Sequence, residues 1–153
     1  MQSFVLDSKT NPFNVVEPGK RPRVTLTPTL ATKDGKPFLS FAVQGGDSQE
    51  QFLLQFFLNV VEFGMNVQEA SEAANFIGYQ MKSSFGAHVS APGRIDLDGR
   101  IPKAVADRLA TMGYKVRRIE MGSGPLNAIQ VDNKHQSYWG GSSIQGEDYG
   151  IGW

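Results

Sequence analysis

The sequence contains no cysteine. Disulfide cross-links, thiolate nucleophiles and cysteine-held metals are thereby excluded. Histidine is nearly missing too: His88 and His135 are the only two and stand far apart, which argues against a zinc-type cluster. Neither sign of charge is in excess, with 15 basic against 15 acidic residues in a chain of 153. That balance gives no global electrostatic case for nucleic acid or an anionic membrane. Long hydrophobic runs are lacking as well. The most apolar stretch, 52–63, is broken by Gln55, Asn59 and Glu62 and is too short to span a bilayer. No signal-peptide pattern opens the sequence, and no compartment is legible in it.

What is present is enough chain for one ordinary domain with a sizeable core. The centre of its organisation is Gly45, Gly46, Asp47, Ser48, Gln49 and Glu50. The apolar run 37–43 leads into this stretch and predicts a central strand buried on both faces. Asp47 is expected to cap the following helix, with Glu50 at capping-box spacing. Strand, glycine pair, capped helix is a geometry in which several backbone N–H groups can converge on one point, suited to negative charge developing on oxygen. The same pattern also describes an ordinary tight turn, and both readings stand on spacing alone.

The helix expected over 48–63 carries one polar stripe, Gln51, Gln55, Asn59 and Glu62. Nearly everything else in it is apolar, which predicts a helix covered on most of its circumference, stopped by Gly64. Asn66 and Glu69 predict a second capping box, followed by a short alanine-rich helix. Residues 29–33 and 37–43 around Asp34 and Gly35 read as a hairpin, as do 127–131 and 136–140 around 132–134. Residues 79–93 read as loop with a short strand at 87–90. His88, alone on that loop, reads first as a structural histidine, with a role as ligand or base as the alternative. Pro102 suits the first turn of a helix whose apolar face is Ile101, Val105, Leu109 and Met112 and which stops at Gly113. Residues 114–120 read as an edge strand. Residues 1–22 form an unusual domain start, a lone strand at 3–7 and then a long proline-punctuated loop, and suggest one partial domain, 1–153, of a longer protein. The order of elements suits an α+β fold.

Certain motifs stand here in a characteristic order: Gly19-Lys20-Arg21-Pro22, Leu26-Thr27-Pro28-Thr29, Asp34-Gly35-Lys36-Pro37, Gly45-Gly46, Asn59, Phe63-Gly64-Met65-Asn66-Val67-Gln68-Glu69-Ala70 and Met112-Gly113-Tyr114-Lys115-Val116. Together they resemble the γ-glutamyltransferase (γ-glutamyltranspeptidase) family, in the C-terminal part of its small subunit, over about residues 3 to 153. The resemblance implies part of a four-layer αββα N-terminal-nucleophile hydrolase. In that family a precursor cleaves itself, a new N-terminal threonine becomes the nucleophile, and its own α-amine serves as base. The substrate is a γ-glutamyl amide of the glutathione type, and the acyl group passes to water or an amine. The family also suggests a periplasmic or extracellular setting.

Carried over position by position, the resemblance puts Gly45 and Gly46 on the oxyanion-hole pair. Thr25 falls on the second of two serines that hold the substrate α-carboxylate, and Ser3 near an aspartate that grips its α-ammonium. Val24 falls on the first serine and cannot donate a hydrogen bond. Ser3 brings no charge, and 142–145 replaces a common Ser-Asp-Pro-Arg run. These departures imply a divergent branch, one whose substrate extends to other acyl amides as in related cephalosporin-type acylases. No cofactor and no metal are implied. The implied partners are the rest of the same protein, with its large subunit and threonine-bearing segment, and a small amide substrate; self-association follows if strand edges lie unpaired. No threonine here is expected to act as the nucleophile, so the chain by itself is expected to be inactive. A non-catalytic module of the same fold, kept for binding or assembly, is the alternative.

Overall fold

A computed structural model describes residues 6–9, 15–21, 24–85, 88–120, 124–145 and 150. Among the described residues, two sheets and three helices make an α+β architecture. The first sheet contains β1 (Thr29–Lys33), β2 (Lys36–Val43), β6 (Leu126–Asp132) and β7 (Ser137–Ser142) in the order β1-β2-β6-β7, all neighbours antiparallel. The second contains β3 (Phe76–Gly78), β4 (Arg94–Asp98) and β5 (Lys115–Ile119). There β4 runs antiparallel to β3 and parallel to β5, the crossover being helix α3 (Lys103–Thr111).

The β1–β2 hairpin closes as the sequence predicts. Asp34 (φ 52°) and Gly35 (φ 73°) both take left-handed conformations, the pair of positive φ values a type I′ turn needs. Along β2, Leu39, Phe41 and Val43 are buried while Ser40 and Ala42 are exposed. The strand is therefore inner to its sheet but covered on one face, not two. Its buried face meets α1 (Gln49–Val61) through Phe52, Phe56 and Val60, and Phe41 lies 5.2 Å from Phe56 between ring centroids.

Helix α1 departs from expectation at its start. Ser48, not Asp47, is the N-cap, and its side chain makes no capping hydrogen bond. Asp47 instead accepts the Ser84 N–H at 2.7 Å. Nor is the helix covered nearly all round, since Leu54 is 58 % exposed and Val61 also faces outward. The glycine stop does occur, with Gly64 at φ 69° beyond the Glu62 cap. The second capping box forms as expected: Asn66 accepts the Gln68 and Glu69 N–H groups, and Glu69 accepts that of Asn66, opening α2 (Val67–Glu72).

The polar stripe of α1 meets the outer edge of β3. Gln51 donates to the Gly78 carbonyl at 3.0 Å and accepts the Gly78 N–H at 2.8 Å. Gln55 does the same with Phe76, at 3.0 Å each way. Four residues of helix rise about 6.0 Å and two residues of strand about 6.6–6.8 Å, so two side-chain amides at i and i+4 can stand in for a neighbouring strand. One helix thus packs on the first sheet and closes the edge of the second.

Strands β3 and β4 occupy segments the sequence does not mark as strand, and 88–90 is not strand. In β4 the fully buried Asp96 is gripped by Arg94 and Arg117, and Asp98 is held by Arg100. Helix α3 buries Ala106 rather than Val105 and Met112, which are exposed; Pro102 is its N-cap, one position earlier than expected. Strand β5 is an edge strand, as read. The strand expected at 3–7 falls outside the described residues at 3–5, and Leu6 and Asp7 are not in a strand.

Candidate active site

The end of β2, the bend at Gly45 and Gly46 and the first turn of α1 form one junction. Gly45 has φ 152°, which L side chains rarely adopt, and a Cβ there would lie 3.3 Å from Gln49 Cγ. At Gly46 the space is taken by an aromatic ring, since a Cβ would lie 2.6 Å from Phe85 Cε2. Both positions thus require glycine, one for its backbone and one for its neighbour.

The hydrogen bonds around the bend leave the pair's donors unspent. Gln44 N–H donates to Pro125 C=O at 2.9 Å, and Gly46 C=O accepts from Gln49 N–H at 3.0 Å. Among the described residues, no protein group accepts from the N–H of Gly45 or of Gly46. Gly45 is exposed and Gly46 half-buried, so these donors are not sealed in the core. Preorganised, unused N–H groups at a bend are the structural requirement for stabilising an oxyanion.

Thr25 is brought to the same end. In the β1–β2 register Thr29 lies opposite Phe41, and Thr27 Oγ1 donates to Val43 C=O at 3.2 Å two residues further along. Continuing by two places Thr25 beside the bend. The link is Gln49, which sequence reasoning passed over. Its side chain, 3 % exposed, donates to Thr25 C=O at 2.7 Å and to Val43 C=O at 2.8 Å. The Thr25 hydroxyl has no protein partner among the described residues. Ser3 lies outside the described residues.

The loop after β3 folds onto the bend. Ser83 N–H donates to Val89 C=O, His88 N–H to Phe85 C=O, and Ser84 N–H to the Asp47 carboxylate. His88 Nδ1 lies 2.8 Å from Ser83 C=O. A carbonyl only accepts, so Nδ1 carries a proton, and this histidine serves its own loop. Phe85, half-buried, was not singled out in the sequence; no spacing signal connects it to Gly46.

A separate concave region of about 950 Å³ lies on the opposite, outward face of the first sheet, bordered by Leu30, Ser40, Ala42, Ile129 and Tyr138. Neither the glycine pair nor Thr25 borders it. Among the described residues, no cluster of three His, Asp or Glu could hold a metal, and no helix is long and apolar enough to cross a membrane.

Comparison with known proteins identifies the family. The chain is 30 % identical over 140 residues to the glutathione hydrolase proenzyme of Bacillus subtilis (strain 168), covering 90 % of this chain and 22 % of that protein. It is 30 % identical over 114 residues to an acylase proenzyme of Pseudomonas sp. (strain SE83), covering 74 % of this chain and 18 % of that one. An acivicin-inhibited γ-glutamyltranspeptidase superposes with a TM-score of 0.71 at 29 % identity, over 88 % of this chain and 68 % of that one. The chain therefore spans about a fifth of the length of these curated relatives, and its α+β fold is that of an N-terminal-nucleophile hydrolase. Since the family model described as gamma-glutamyltranspeptidase also matches residues 1–153, the chain belongs to the γ-glutamyltranspeptidase family.

Proposed function

We propose that this chain is the oxyanion-stabilising part of a γ-glutamyltranspeptidase-like amide hydrolase or acyltransferase. The observation that carries this reading is the pair of uncommitted N–H groups at Gly45 and Gly46. In the complete site, a threonine hydroxyl supplied by another segment of the same protein attacks the substrate amide carbon. The carbonyl oxygen takes up the electron pair, and the two N–H groups stabilise it. Collapse expels the amine, which leaves with a proton relayed through the threonine's α-amine, and an acyl ester remains. Water or an acceptor amine then attacks that ester through a second oxyanion at the same donors. Removing one such donor typically costs about 10²–10³-fold in turnover.

In this reading residues 1–153 are one partial domain, the chain alone has no nucleophile, and its partner is the remainder of its own protein. Thr25 lines the substrate end beside the bend, and Ser3 is assigned to the same end from its place in the sequence. Glutathione-type γ-glutamyl amides and other acyl amides are both candidate substrates. The test is reconstitution: co-expression with the threonine-bearing segment, then assay on a γ-glutamyl anilide and on non-glutamyl acyl anilides. Hydrolysis that is lost in Gly45→Val supports the reading. Turnover by the chain alone contradicts the claim that its nucleophile lies elsewhere, and no activity on any amide after assembly favours the non-catalytic module.

A further inference from the structure

The two peptides that carry the Gly45 and Gly46 N–H groups lie between two others that are held in place. The preceding peptide, linking Val43 and Gln44, is fixed on both sides. The Gln49 side chain donates to its carbonyl at 2.8 Å, and its N–H donates to Pro125 C=O at 2.9 Å. The following peptide, linking Gly46 and Asp47, is fixed at its carbonyl by the Gln49 backbone N–H at 3.0 Å. One residue therefore grips the bend before and after its two donors. Its stem also packs against the bend, since Gln49 Cγ lies 3.3 Å from the position a Cβ on Gly45 would take.

The grip matters because of what lies between the held peptides. Two successive glycines have no Cβ to restrict their dihedrals, and a peptide between them can turn over at little steric cost. Turned over, it aims its N–H away from the site. The bend's own residues thus supply little rigidity, and the bonds from Gln49 supply it instead. That side chain is 3 % exposed, so bulk water does not compete for its donors. It is braced in turn from the segment before β1, through Thr25 C=O at 2.7 Å and Thr27 Oγ1 at 3.3 Å. Thr27 Oγ1 itself donates to Val43 C=O at 3.2 Å, closing the network on the same carbonyl.

We propose that Gln49 is a positioning residue for the reaction, keeping the Gly45 and Gly46 N–H groups aimed at the oxyanion. This rests on the reading of those glycines as oxyanion donors. The oxyanion exists only after attack on the amide, so a loosened bend costs turnover and not ground-state binding. The test uses the assembled protein on γ-glutamyl and non-glutamyl acyl anilides, at a temperature where melting curves show each variant folded. Gln49→Met keeps an unbranched stem and removes the donors, and kcat is expected to fall about tenfold or more with KM not raised. Gln49→Glu adds a signature that packing alone does not produce. An ionised carboxylate facing two carbonyl oxygens has nothing to donate, whereas its protonated form donates to one of them. Its kcat relative to the parent is therefore expected to recover as pH is lowered. Unchanged kcat in folded Gln49→Met, a loss confined to raised KM, or a pH-independent ratio in Gln49→Glu overturns the positioning role alone when Gly45→Val abolishes turnover. Full turnover in Gly45→Val, or none in the assembled parent, overturns the donor reading and the positioning role together.

Discussion

The side-chain amide of Gln49 donates to the Thr25 carbonyl at 2.7 Å and ties the segment before β1 to the first turn of α1. The same group reaches the last carbonyl of β2, that of Val43, at 2.8 Å. One buried amide thereby fixes both chain segments that flank the glycine bend.

Gln49→Leu keeps the bulk and removes the donor. The Thr25 carbonyl loses its donor and the Val43 carbonyl keeps only Thr27 Oγ1, so stability is expected to fall by about 1–3 kcal/mol. Urea unfolding measures this, and a change below about 0.5 kcal/mol would show that water replaces the clamp without loss.

The glutamine pair on α1 has a separate signature. Gln51→Ala with Gln55→Ala removes all four bonds to β3. Amide hydrogen exchange at Phe76 and Gly78 should accelerate at least tenfold, while exchange in β6 stays unchanged. Unchanged protection at both positions would contradict the ladder.

Phe56 is 1 % exposed and packs on Phe41 at the centre of the first sheet's core. Phe56→Ala is expected to destabilise the chain by about 3–5 kcal/mol. A loss under 1 kcal/mol in equilibrium denaturation would mean that α1 is not anchored there.

Acid should act through Asp96. Hydrogen bonds from Arg94 hold its carboxyl below the ordinary value, joined by Arg117 and Tyr79 and opposed by burial. A depressed folded pKa contributes stability that is fully present above the unfolded value, about 3.9, and is lost as pH falls through the folded value. Asp98, held by Arg100, acts in the same direction. Stability followed by denaturation between about pH 5 and pH 2 should drop more steeply in the parent chain than in Asp96→Asn. Parallel profiles would contradict this role.

Local signals were the legible ones. Asp34 and Gly35 announce their turn, and Asn66 and Glu69 their cap, because each partner lies within three residues. Most of the misses turn on a partner distant in sequence. Asp47 fits an N-cap until Ser84, 37 residues on, supplies another donor. At β4 the partners are mixed: Arg94 and Arg100 lie two residues from Asp96 and Asp98, and only Arg117, 21 residues away on β5, completes the grip on Asp96 from a distance. The apolar pattern of α1 fixed which residues want cover but not what covers them, hence the exposure of Leu54 and Val61. At the candidate site, motif order singled out the glycine pair and Thr25, whereas Gln49 and Phe85 meet the bend through contacts that no spacing encodes.

The donor role of the glycine bend is tested most directly by a crystal structure of the assembled protein carrying a covalent acyl-intermediate analogue on its threonine. The account predicts the analogue's oxyanion oxygen about 2.7–3.1 Å from the backbone nitrogens of Gly45 and Gly46. An oxygen bound by other donors, with those two nitrogens turned away from it, would contradict the account.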